Sequence, residues 1–269
     1  VAVPSARQEL TCKIAGDFEE VASLREQWDS FVEQAGGDIY FTYDWCRTWW
    51  RYYSRGRQLK ILIFRDGPTW VGLLPMLIDR LGLGPVRLRL AKLVGSDFTT
   101  TVLNPPVALE HAVTVYTKAL KVLLADLGCE AVWFGPLAGE RPHRPHLRSA
   151  CAEPGSGARI VRDCATGVHA VFYLPAMFEQ FLRQLDKSQR GNYRRDRRNL
   201  EKLGSVRIEF IKQHDLIERE FSQFVAMHEA QWRSVGMLGH FGDWPDAEAF
   251  NRDLVRTMYP LGRLQLERL

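Results

Sequence analysis

Apolar positions along the chain fall into two periods, and the alternation between those periods sketches the fold. Phe18, Val21, Leu24, Trp28 and Phe31 recur at helical spacing, with Asp17 and Glu20 placed as a capping box and Gly36-Gly37 as the stop. Asp44 to Tyr53 reads as a second helix, rich in aromatic residues at Trp45, Trp49, Trp50 and Tyr53. Three strand-like stretches follow: Leu59 to Phe64, Trp70 to Leu77 and Val86 to Val94. Asp66-Gly67 marks the first turn between them and Gly82 to Pro85 the second. In the third stretch Val86, Leu88 and Leu90 alternate with Arg87 and Arg89, as a half-exposed antiparallel strand does. His111 to Leu127 predicts a helix ended by Gly128, and Ala131 to Phe134 a buried strand.

Between Gly135 and Gly157 the pattern lapses. Eight of these 23 residues are Gly or Pro, so the stretch reads as a long loop or a domain boundary. Beyond it Val168, Ala170, Phe172 and Leu174 alternate as a strand, and a long helix begins near Ala176 with Phe178, Phe181, Leu182 and Leu185 on one face. Val206, Ile208 and Phe210 alternate again. The next helix carries the stripe Ile217, Phe221, Phe224, Val225, His228 and Trp232. A loop with Gly236, Gly239 and Gly242 leads to a last helix, Asp246 to Met258. Leu264 to Leu266 looks like the start of a strand. The expected architecture is α/β with a mixed sheet, in two units of about residues 1–160 and 161–269, the second incomplete at its C-terminal side.

Composition keeps the chain among globular proteins: 269 residues, 46% hydrophobic and 25% charged. The longest apolar run, Trp70 to Ile78, contains Gly72 and Pro75 and falls short of the ~18 residues of a membrane span. The first twenty residues carry no signal-peptide pattern, and a start at Val1 suggests a trimmed or partial product. Five scattered cysteines, odd in number, argue against a disulfide framework and for a reducing, cytoplasmic setting.

Charge changes the picture more. Lys187 to Lys202 holds seven basic and two acidic residues, a local charge of +5 in a chain of +4, so the remainder is slightly negative. On a helix Arg190, Arg194 and Arg198 line one face at four-residue spacing. Such a face suits a phosphate-rich or otherwise anionic partner. A solvated surface is the plainer alternative.

Three stretches carry a family resemblance: Tyr40-Phe41-Thr42-Tyr43-Asp44-Trp45 through Trp49-Trp50, the basic segment from Leu185 to Gly204, and Met227-His228-Glu229 through Trp232, Gly236, Gly239, Phe241 and Phe250. Together they resemble the bacterial GNAT-type acyltransferases of the CelD-like kind, associated with cellulose or exopolysaccharide biosynthesis. These are related in architecture to the tandem-GNAT transferases of Fem type. The resemblance implies a GNAT fold, an acyl-CoA co-substrate (acetyl-CoA foremost) and transfer to an amine acceptor of cell-envelope or exopolysaccharide metabolism; the histidine and cysteine spacings, for their part, lead us to expect no metal. It also implies that the helix receiving the pyrophosphate of CoA lies beyond Leu269. The nearest pyrophosphate-binding pattern, Arg80-Leu81-Gly82-Leu83-Gly84, is one residue short and sits in a strand–strand turn. Two alternatives stay open: a Fem-type enzyme using aminoacyl-tRNA, and a non-catalytic assembly protein that keeps the fold.

Candidates for the chemistry are few. His228 suits a general base, because an imidazole titrates near neutral pH. Its place on the apolar stripe between Phe224 and Trp232 favours a packed role. His240 in the Gly-rich loop is a similar case. Asp97, in Gly95-Ser96-Asp97-Phe98-Thr99, is placed to orient an amine or to cap its own turn. His143, His146, Cys151, Cys164 and His169 match no structural zinc spacing, and Pro142 and Pro145 argue against a helical His143/His146 pair.

Overall fold

The computed structural model describes residues 10–83, 86–98, 102–139, 142–168 and 170–268. Gly84-Pro85 of the second predicted turn, Thr99 and His169 lie outside them. The chain divides into two compact units, residues 1–167 with 240–254, and residues 168–239 with 255–269.

The first unit is built on a five-stranded mixed sheet in the order β1-β2-β3-β4-β5. β1 (Thr11–Ala15), β2 (Gln58–Asp66), β3 (Thr69–Leu83) and β4 (Val86–Leu93) pair antiparallel, and β5 (Ala131–Trp133) joins β4 in parallel. The hairpin at Asp66-Gly67 forms where the turn signal places it, with Gly67 at φ 57°. The apolar stretches that predict β2 and β3 run through the sheet centre, where Ile61 to Phe64, Leu73 and Leu74 are all fully buried. Both faces are covered there, as in strands buried on two sides.

Helices α1 (Arg25–Gln34), α2 (Tyr43–Tyr53) and α3 (Ala112–Lys121) supply the cover. The stripe of α1 turns Trp28, Phe31 and Val32 inward, and the Phe31 ring meets Trp70 of β3 at 5.9 Å. On β3, Gly72 is required by proximity: a Cβ there would come within 2.7 Å of Val115 on α3. Phe18, Trp28 and Tyr43 form an edge-to-face cluster, with the Tyr43 hydroxyl donating to the Phe18 carbonyl at 2.9 Å.

Several elements depart from the sequence expectation. Asp17 and Glu20 do serve a helical start, accepting from the Glu19 and Gly16 amides at 2.8 and 3.1 Å, but the first turns, Glu19–Leu24, are 3₁₀. The supposed loop of 135–157 contains α4 (His143–Ala152). Pro142 occupies its N-cap and Pro145 its first turn, where a missing N–H breaks no intrahelical bond, so the prolines start the helix rather than forbid it. β1 escaped notice because it is a short edge strand with mostly exposed side chains.

The second unit holds α5 (Phe178–Gln184), α6 (Lys187–Leu203), β6 (Glu209–Phe210), α7 (Ile217–Ser234) and β7 (Glu267–Arg268), the two short strands pairing antiparallel. The division between units falls inside α8 (Ala247–Met258). Residues 170–174 are exposed and join no strand, although their alternation predicts one; a period of two fixes the side-chain faces but not a pairing partner. The single helix expected from Ala176 is two helices, because Asp186 with Gln189 forms a capping box that restarts the chain. No helix among the described residues is long and apolar enough to cross a membrane. All five cysteines are free.

Candidate functional site

The basic segment folds as expected into one exposed helix. At its start the Gln189 amide donates to the Asp186 carboxylate at 2.8 Å, and the Gln189 side chain accepts from the Asp186 amide at 3.0 Å. The seven cations of α6 then separate into two groups. Arg190 is turned back onto the end of α5, donating to the carbonyls of Arg183 and Leu185. Arg195 pairs with Asp196, and Arg197 with Glu201 at 2.9 Å. Lys187, Arg194, Arg198 and Lys202 are exposed and, among the described residues, form no ion pair.

At 100° per residue these four, with Gly191, share one face of the helix over about 22 Å. Gly191 leaves a gap in the middle, open to the outside, with nothing within 4 Å of where its Cβ would stand. Of the expected trio, Arg190 is engaged with the end of α5, while Arg194 and Arg198 form no ion pair among the described residues and share their face with Lys187 and Lys202. The additions are legible in a helical projection. The loss of Arg190 is not, because it depends on the break between α5 and α6.

Next to the end of α6 lies an ionic knot. Glu220 of α7, a buried carboxylate, accepts from Arg219 at 2.9 Å and from Arg268 of β7 at 3.1 and 3.2 Å, while Arg268 also reaches Glu209 of β6 at 2.6 Å. The Glu209 hydrogen bond pushes the Arg268 guanidinium pKa further up, and the same bond lowers that of Glu209. Two open hollows of about 410 and 440 Å³ share Glu209 and Arg268 as lining. The first continues to Leu200, Gly204 and Arg207, the second to Phe210, Lys212 and Leu216.

His228 sits half-buried on α7 in a ladder of rings, 5.9 Å from Phe224 and 5.9 Å from Trp232. Gly239 (φ 74°) closes over the end of that ladder, where a Cβ would come within 2.9 Å of Trp232. His240 belongs to the first unit, with its Nδ1 3.8 Å from Asp243 and its ring near Trp244.

Asp97 also lies in the first unit, and its carboxylate is engaged. Arg57 and Lys92 each bridge Asp79 and Asp97, at 3.4 and 2.9 Å for Arg57 and 2.8 and 2.8 Å for Lys92. Burial favours the protonated form of Asp79, but the Lys92 hydrogen bond and charge, with Arg57 and the Arg80 amide, outweigh it and hold its pKa below the ordinary value. Asp97 is thus fixed between two cations, and the adjacent Phe98 adopts a positive φ of 67°.

Of the residues weighed for zinc, His143 lies elsewhere, in a buried polar chain. Its Nδ1 and Nε2 are each 2.7 Å from a partner, the Tyr116 hydroxyl and Asn104 Oδ1 respectively, and the Asn104 amide donates to the Gly36 carbonyl. With the Asn104 oxygen as acceptor, Nε2 carries the imidazole proton and Nδ1 receives the Tyr116 hydroxyl. Burial raises the Tyr116 phenol well above its usual value. His169 lies outside the described residues.

These sites belong to different elements of a chain whose last third has a recognisable counterpart. Residues 187–269 match the family model described as an acetyltransferase (GNAT) domain. A GNAT acetyltransferase domain is therefore present from α6 to β7, and the mixed α/β architecture is consistent with a GNAT-like fold. No curated protein and no solved structure matches the chain.

Proposed function

We propose that the protein is an N-acyltransferase that takes an acyl group, acetyl foremost, from acyl-CoA to an amine. The carrying observation is the GNAT acetyltransferase match over 187–269. The amine nitrogen, freed of its proton, attacks the thioester carbonyl carbon. The tetrahedral oxyanion collapses, the C–S bond breaks, and CoA leaves as a thiolate that takes up a proton.

Between the two candidate proton acceptors the reading favours His228. It lies within the matching domain and is half-buried on α7, whereas the Asp97 carboxylate is held in ion pairs by Arg57 and Lys92. In the same reading the first unit is a second GNAT-like unit, with the boundary near residue 160. The acceptor belongs to cell-envelope or exopolysaccharide metabolism, for which the support is the sequence resemblance of the Tyr40–Trp50 and Leu185–Gly204 stretches alone.

The test is acetyl-CoA turnover with a panel of amines, read with CoA release, together with His228→Gln. The reading expects kcat to fall by about 10²-fold or more in the variant while acetyl-CoA affinity is kept. An unchanged kcat removes His228 from the mechanism. A second reading, an aminoacyl-tRNA-dependent transferase, is favoured by the unpaired cations of α6. It predicts tight tRNA binding and no affinity for acetyl-CoA.

A further inference from the structure

The paired strands β3 and β4 carry charge on both faces, and the two faces treat it differently. On one, Asp79 and Lys92 are neutralised together with Asp97 and Arg57. On the other stand three arginines. Arg80 of β3 lies directly opposite Arg89 of β4, and Arg87, two residues along, lies opposite Gly82. A period of two therefore sets all three on the same face, with their side chains starting about 5–7 Å apart. None of them forms an ion pair among the described residues. The Glu130 carboxylate is spent on the Arg89 backbone amide, from which it accepts at 2.6 Å. Arg80 and Arg87 are exposed, whereas Arg89 is drawn in. Its Nε is buried with no hydrogen-bond partner, and a Cβ on Gly128 would come within 3.3 Å of its Nη1.

Like charges directly opposite each other on paired strands repel, so this placement costs stability unless an anion lies between them. The chemistry narrows the anion. A carboxylate carries one charge and leaves two guanidiniums uncompensated. A nucleic acid offers phosphates in a long row, but this patch is short: the next residues on the same face, Ile78 and Ala91, are buried. A phosphate group carries about two charges at neutral pH, and its oxygens match the guanidinium fork. A diphosphate carries more charge over a span that three neighbouring arginines can enclose. We propose that Arg80, Arg87 and Arg89 form a binding site for the diphosphate group of a small molecule.

The three arginines lie outside residues 187–269, which match the acetyltransferase domain, and the ligand is one other than acyl-CoA. The proposal stands or falls without the acyl-transfer reading.

The experiment is calorimetric titration of inorganic pyrophosphate into the whole gene product at about 0.1 M salt. The expected result is one ion per chain with a Kd below about 1 mM, tighter than inorganic phosphate by about tenfold. Each exposed arginine should be worth about tenfold, so Arg80→Ala with Arg87→Ala weakens binding about 100-fold. Arg89→Lys keeps the charge, loses the fork and should weaken it by about tenfold. Arg195→Ala with Arg197→Ala removes the same charge from α6 and should change affinity by less than about threefold. Far-UV circular dichroism of each variant confirms that the fold is kept. No binding at that strength, full affinity in the Arg80/Arg87 double variant, or an equal loss in the α6 double variant each overturn the proposal. So does displacement of pyrophosphate by an equal concentration of acetyl-CoA, which would make the site the cofactor's own.

Discussion

The two units treat the same side-chain types in opposite ways. In the first, Trp28, Trp49, Phe41 and Tyr116 are fully buried around a sheet whose centre is covered on both faces. In the second, the buried apolar residues are Ile217, Phe221, Val225, Val255 and Met258, while Phe172, Tyr173, Leu174 and Leu203 lie exposed. Charge divides the same way. The cations Arg57 and Lys92 of the first unit are enclosed by two carboxylates, whereas Arg194 and Arg198 of the second face outward with none. Substitutions in the first unit should therefore register in stability, and substitutions on α6 in binding.

The sharpest way to break that contrast is Phe250→Ala. Phe250 is only 2% exposed, with its ring 5.4 to 6.0 Å from Tyr53, Tyr52 and Trp45 of α2. Arg51–Asp253 at 2.9 Å and Tyr53 donating to the Pro245 carbonyl at 3.2 Å hold the same segment. Loss of the ring should cost about 3–5 kcal/mol in urea unfolding. A cost under about 1 kcal/mol would mean that residues 240–254 are not part of the core of the first unit.

His143→Leu comes next. It leaves the Tyr116 hydroxyl and Asn104 Oδ1 without their shared partner in a site that water does not reach, at about 2–4 kcal/mol. If unfolding shows no loss, the chain of hydrogen bonds from Tyr116 to Gly36 is not a stabilising one.

Asp79→Asn opens the ion quartet and should cost about 2 kcal/mol, less than a wholly buried pair because the four side chains keep some solvent contact. The same group predicts an acid dependence. Asp79 holds its proton less tightly folded than unfolded, so its contribution is present above the ordinary carboxylate pKa of about 4 and is lost as pH falls through the lower folded value. The difference in unfolding free energy between wild type and Asp79→Asn should shrink steadily below about pH 4. A difference that is constant with pH would contradict the assignment.

Smallest of all is the expected stability effect of Arg194→Ala with Arg198→Ala. Both side chains are exposed and neither has an ion-pair partner among the described residues, so the urea midpoint should not move. A clear shift would place α6 with the structural parts of the molecule.

Much of the first unit was legible because its signals are local. The hairpin at Asp66-Gly67, the stripe of α1 and the aromatic face of α2 each sit within a dozen residues. What escaped depends on partners distant in sequence. The Tyr116, His143 and Asn104 side chains come from three separate segments, and no spacing rule links them. Arg57, Lys92 and Asp79 likewise gather around Asp97 only once β3 and β4 have paired. The helix α4 was hidden by a rule applied without position, since proline is disfavoured inside a helix but not in its first turn. The capping box of Asp186 and Gln189 was present in the sequence, and the apolar run through Leu185 obscured it. On α6 the cations were readable, but which of them remain available was decided by the turn that sends Arg190 back to α5.

The central claim is that a GNAT acetyltransferase domain in this chain makes it an acyl-CoA-dependent enzyme. Calorimetric titration of acetyl-CoA into the whole gene product tests it most directly. The account predicts binding at micromolar strength or tighter, lost when the ligand is shortened to lack the pyrophosphate. Absence of heat, with no thermal stabilisation by acetyl-CoA, would contradict it.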